Sequence, residues 1–75
     1  MPRAFTDAER TRIHRLLLEA GRAALATGGL RRVPVERLCL AAGISKGAFY
    51  LFFPSKEALV VALLVEAEAE LRSEL

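Results

Sequence analysis

A chain of 75 residues with 53% apolar side chains holds one small domain, and that composition excludes a disordered polymer. A single cysteine, Cys39, excludes an internal disulfide and any metal site built on several thiolates. The formal charge of +2 is uneven, net +5 over residues 1–50 and net −3 over residues 51–75, which suits a polyanionic partner at the N-terminal end.

The first ten residues, M-P-R-A-F-T-D-A-E-R, are charged and lack an apolar secretory core, so a cytoplasmic protein is expected. Residues 1–5, including Arg3, read as a loose arm. Thr6-Asp7-Ala8-Glu9 then has the form of a capping box, with Thr6 as cap and Glu9 reaching back. The first helix is expected to run to about Thr27. Ile13, Leu16, Leu17, Ala20, Ala23 and Ala24 form its buried stripe, and Arg12, Arg15, Glu19 and Arg22 lie off it. Gly28-Gly29 stops it.

Leu30 reads as a core plug after the stop, with Arg31 and Arg32 in the connection. Pro34 suits a helix start because its missing N–H is not needed there. The second helix is expected over residues 35–42, with Val35, Leu38, Cys39 and Ala42 facing inward. Gly43 supplies a left-handed helix end, Ile44 plugs the turn, and Ser45 caps a third helix from Lys46 to about Phe53. Pro54 disfavours helical backbone at Phe53 and stops it. Two short helices joined by a Gly-containing turn form a helix-turn-helix, whose second helix enters the DNA major groove.

At about 100° per residue, Phe49 and Phe53 point inward and anchor the third helix. Gly47, Ala48 and Leu51 point outward, flanked by Lys46 and Tyr50 on one side and Phe52 on the other. Gly47 allows close backbone approach. Ala48 and Leu51 can meet thymine methyl groups. Lys46 and Tyr50 have the reach and chemistry for phosphate oxygens.

Ser55 caps the fourth helix, expected from about Lys56 to the chain end, and Glu57 complements its dipole. Lys56 can add a phosphate contact beside the free amides there. Residues 58–65 are an uninterrupted apolar run, too short to cross a bilayer but greasy on every side. Three short helices cover only one side, so further chain or a partner is expected against the rest. Glu66, Glu70 and Glu74 share one solvated face, and Glu68 can pair with Arg72.

Candidate catalytic groups do not assemble. His14 has no second ligand at i+4, and Cys39 reads as a small buried hydrophobe. Gly43-x-x-Lys46-Gly47 lacks the spacing of a phosphate loop. No enzyme activity, cofactor or metal is expected.

Gly29-Leu30, Val35-x-x-Leu38, Ala42-Gly43-Ile44-Ser45-Lys46-Gly47-x-Phe49-Tyr50-x-x-Phe53 and Ser55-Lys56-Glu57-x-Leu59 together closely resemble the N-terminal DNA-binding domain of TetR-family transcriptional repressors. The resemblance runs from about Thr11 to about Leu64. It implies an all-α domain of four helices, a homeodomain-like three-helix core carrying the helix-turn-helix plus the start of a linking helix. It places Lys46, Gly47, Ala48, Tyr50 and Lys56 at DNA-contacting positions. The family also uses a Thr where Pro34 stands here, so a phosphate anchor is lost, and Arg31 or Arg32 is expected to compensate. Phe52 stands where His or Tyr is frequent, which removes a polar backbone contact. Leu40 stands where an exposed polar residue is expected, and either packs or forms a small exposed patch. The expected DNA-facing set is Lys46, Gly47, Ala48, Tyr50, Leu51 and Lys56, with Arg32 and Pro34 at the approach to the second helix.

The expected organisation is an arm over residues 1–5, the DNA-binding domain over 6–64 with its motif at about 34–53, and a continuation of the fourth helix over 65–75. That continuation leads toward a ligand-binding and dimerisation domain outside this sequence. By the resemblance, the protein is a homodimeric repressor of a double-stranded DNA operator, released by a small-molecule effector bound outside this segment, with no membrane partner. A helical protein-interaction module without DNA binding is the rival reading.

Overall fold

Local chemistry sets the helix boundaries. The computed structural model describes residues 4–74, as four α-helices, α1 (Asp7–Ala26), α2 (Val35–Ala42), α3 (Lys46–Phe52) and α4 (Lys56–Glu74), with a 3-10 turn at Leu30–Arg32 between the first two. No strand occurs among the described residues. Arg3 and the rest of residues 1–3, as well as Leu75, lie outside them.

The expected capping box is present. The Glu9 N–H donates to Thr6 Oγ1 at 3.1 Å, and the Thr6 N–H donates to Glu9 Oε1 at 2.9 Å. Gly29, at φ 103°, turns the chain out of α1 while its N–H still bonds the Ala24 carbonyl at 2.9 Å. Gly43, at φ 70°, gives α2 its left-handed end; its own N–H bonds Leu40 O and the Ile44 N–H bonds Cys39 O. Ser45 and Ser55 accept from the Ala48 and Ala58 amides, each at 3.1 Å, and so start α3 and α4.

The core lies where these helices converge. Ile13, Leu17 and Ala24 come from α1, Leu30 from the 3-10 turn, and Val35, Leu38, Cys39 and Ala42 from α2. Phe49 and Phe53 enter from the third helix and its end, and Leu59 and Leu63 from α4. Leu17, Leu38, Phe49 and Leu59 are fully enclosed, and each contributes about 1.5–3 kcal/mol of burial. The inner face expected for α2 is therefore the observed one.

Three expectations change. Ala23 is exposed, and its place in the α1 seam is taken by buried Gly21. Glu66 does not belong to a freely solvated row: Arg22 Nη2 donates to its Oε1 at 2.6 Å, tying α1 to α4. The described end of the arm is not loose, because Phe5 packs on the core and its ring lies 5.8 Å from that of Phe52. The Glu68–Arg72 pair forms as expected, at 2.6 Å.

Candidate nucleic-acid interface

The third helix is held to the core by an aromatic ladder. The Phe49 and Phe53 rings stand 6.1 Å apart, and His14 stacks on Phe53 at 5.2 Å. Among the described residues this ring contact is what engages His14, and it is a packing role. With those rings pinned, the opposite side of α3 is set toward solvent. Leu51 is 78% exposed there, and Gly47 and Lys46 are exposed beside it. Ala48 is half-buried. Tyr50 meets Phe49 edge-on at 5.3 Å, which fixes its ring and leaves it exposed. Phe52, read as a flank of this outward surface, instead turns half inward against Phe5.

Gly47 is informative because the fold does not demand it. A Cβ added there would meet only Ser45 Oγ, at 4.0 Å, although Gly inside a helix costs about 1 kcal/mol relative to Ala. The bare backbone is therefore available to whatever approaches from outside.

Basic groups frame this surface. Lys46 Nζ lies 3.3 Å from Glu36 Oε2, so the starts of α2 and α3 are joined by an exposed ion pair. The Glu36 carboxyl is held below its ordinary range, first by a backbone hydrogen bond and then by Lys46. Lys56 does not point freely outward. Its ammonium donates to Val33 O at 2.6 Å and to Arg31 O at 3.3 Å. The start of α4 is thereby stitched to the segment that leads into α2, with Arg32 and Pro34 exposed on that same segment. Leu40, for which packing and exposure were both open, is 83% exposed.

Of the expected residues, Lys46, Gly47, Tyr50 and Leu51 are exposed on α3, Ala48 is half-buried there, and the Lys56 ammonium reaches the carbonyls of the 31–34 segment. Sequence inspection passes over Glu36. A signal was available, an acidic residue in the first turn of a helix whose neighbours are basic, but its partner lies ten residues away across the turn.

The sequence profile of the bacterial regulatory proteins of the tetR family matches residues 17–63, which spans α2, α3 and the turn between them. The chain belongs to the TetR family. Its helix-turn-helix is of the TetR DNA-binding type. Over 45 residues it is 47% identical to the nucleoid occlusion factor SlmA of Haemophilus ducreyi, covering 60% of this chain and 22% of that protein. The SlmA of Glaesserella parasuis matches at the same identity and coverage. Over 50 residues it is 40% identical to the uncharacterized HTH-type transcriptional regulator YuxN of Bacillus subtilis, covering 67% of this chain and 17% of that protein. The chain therefore spans about a fifth of the length of these relatives. No solved structure matches it at a comparable level. Among the described residues no three His, Cys, Asp or Glu gather as a metal site, and no single helix is long and apolar enough to cross a membrane.

Proposed function

We propose that this chain is the DNA-reading head of a cytoplasmic TetR-type repressor, which occupies a double-stranded operator and is released when a small ligand binds elsewhere on the natural protein. The observation that carries the reading is the outward side of α3: Gly47 without a structural reason to be glycine, exposed Leu51, and Lys46 and Tyr50 at the flank. That surface suits close backbone approach, contact with thymine methyls through Ala48 and Leu51, and phosphate contacts through Lys46, Tyr50 and Lys56. Arg32 and the backbone at Pro34 extend the phosphate-facing edge. Dimerisation pairs two such heads on half-sites about one DNA turn apart, and a ligand that changes their spacing releases the operator.

A titration of the chain with labelled duplex DNA at several salt concentrations tests this. Weak binding is expected, with log affinity falling against log salt by about 0.9 per phosphate contacted. Nanomolar, salt-insensitive binding by the monomer, or no binding at low salt, overturns it. The rival, a helical interaction module, draws on exposed Leu40 and Leu51. Chemical-shift changes at Lys46 and Tyr50 on adding DNA favour the repressor reading; changes confined to α4 on adding a helical protein favour the module.

A further inference from the structure

Glu36 is an unusual residue to find on a surface that meets a polyanion. Its carboxylate stands beside the first residue of α3, 3.3 Å from Lys46 Nζ, and both side chains are more than half exposed. Exposed pairs of this kind add little to stability, so the fold does not require the acid. On DNA, each phosphate competes with Glu36 for the Lys46 ammonium. Once Lys46 turns to a phosphate and the duplex displaces the water around Glu36, its carboxylate is left as an anion near the groove and needs a hydrogen-bond donor.

The major groove offers two exocyclic amines, cytosine N4 and adenine N6. Adenine places its N7 acceptor next to N6, and that lone pair repels a carboxylate. Cytosine places a C–H edge next to N4 and presents no such acceptor. A carboxylate therefore favours cytosine. The carboxyl is ionised throughout the neutral range, being held below its ordinary value by its backbone contact and by Lys46.

We propose that Glu36 is a specificity-determining residue of this reading head, whose carboxylate accepts a hydrogen bond from a cytosine N4 amine when Lys46 engages a phosphate. The assignment rests on the reading that the helix-turn-helix binds DNA. It adds a base contact from the start of α2 to a recognition surface that is otherwise small and partly apolar.

Selection of bound duplexes from a random pool at low salt, run in parallel with the full chain and with its Glu36→Ala and Glu36→Gln variants, tests it. Circular dichroism of each variant accompanies the selection, and unchanged helix content is expected because the side chain is exposed. The unaltered chain should enrich cytosine at one position by about tenfold over Glu36→Ala, in line with a good base contact. Glu36→Ala should lose the preference at that position alone and keep the rest of the selected sequence. Glu36→Gln should shift it toward adenine, whose N6 and N7 match a carboxamide. The same selected sequence from all three proteins overturns the proposal while leaving the DNA reading intact, and means that Glu36 stays paired with Lys46. Failure of all three to enrich any sequence overturns both.

Discussion

Gly21 of α1 faces Leu63 of α4 so closely that a methyl group built on Gly21 lies 3.0 Å from Leu63 Cδ1, and 3.3 Å from Leu59 Cδ2. The two helices meet across this seam because one of them has no side chain there. Two effects oppose each other on substitution. Alanine gains about 1 kcal/mol of helix propensity over glycine, while overpacking a filled seam costs about 1–3 kcal/mol. The crowded atoms are the ends of leucine side chains, which can give by a few tenths of an ångström. Gly21→Ala is therefore expected to stay within about 1 kcal/mol of the parent. Gly21→Val carries two more carbons and a β-branch, and should destabilise by about 2–3 kcal/mol. Urea unfolding followed by circular dichroism measures both, and a neutral Gly21→Val would show that the seam is looser than its geometry.

Lys56 holds the loop ahead of α2 through the Val33 and Arg31 carbonyls. Lys56→Met keeps most of the aliphatic stem and removes the donor. It should cost about 1 kcal/mol, less than the roughly 1.5–3 kcal/mol usual for hydrogen bonds from a charged donor, because the side chain is partly solvated. The same variant should flatten the salt dependence of DNA binding by about one phosphate if Lys56 also reaches the backbone of the duplex. Thermal unfolding and a salt titration separate the two roles: a stability loss with an unchanged slope leaves Lys56 as a stitch alone.

What could be read from the chain was the chemistry that acts within three or four residues. Thr6, Gly43, Ser45 and Ser55 each satisfy backbone groups close by in sequence, so the starts of α1, α3 and α4 and the end of α2 are visible before any packing is known. The inward direction of Phe49 and Phe53, and with it the outward direction of Gly47 and Leu51, followed from helical period in the same way. The contacts that were not visible join distant segments: Gly21 with Leu63, Arg22 with Glu66, Lys56 with Val33, Phe5 with Phe52. A stripe of alanines does not say whether Ala23 or Gly21 lies in the seam. That depends on where α4 crosses α1. Glu36 was missed for a related reason, since it meets Lys46 only after the turn at Gly43 has folded α3 back beside α2.

Cys39 is buried between α2 and the turn, with its thiol 3.5 Å from the Ser45 carbonyl. Burial pushes its pKa above the ordinary 9.0, so the native fold favours the neutral thiol. The stability that this preference contributes is complete below pH 9 and is lost as pH rises from there through the raised native value. At pH 8 a thiol reagent should react with the folded chain at a rate limited by opening, and urea should speed the reaction sharply. Cys39→Ser, which puts a hydroxyl into that apolar position, should destabilise the domain by about 1–3 kcal/mol. Rapid labelling of the folded chain would place Cys39 at the surface.

Along α4, Val61, Leu64 and Val65 are exposed at i, i+3 and i+4, so they share one face, and none of them belongs to the core. This is the uncovered side that a helix apolar all round leads one to expect when only one flank is packed. Charging that face should leave folding intact. In the double variant Val61→Glu, Val65→Lys, two β-branched residues give way to good helix formers, and the acid sits four residues ahead of the base, an arrangement worth a few tenths of a kcal/mol. Unfolding free energy is therefore expected to change by less than about 0.5 kcal/mol. Contiguous apolar surface on small domains drives association, so the apparent mass of the parent chain in sedimentation should rise with concentration and that of the variant should not. A large loss of stability in the variant would mean that this face packs within the fold; unchanged self-association would mean that the chain associates through another surface, with Leu40 and Leu51 the next apolar side chains to charge.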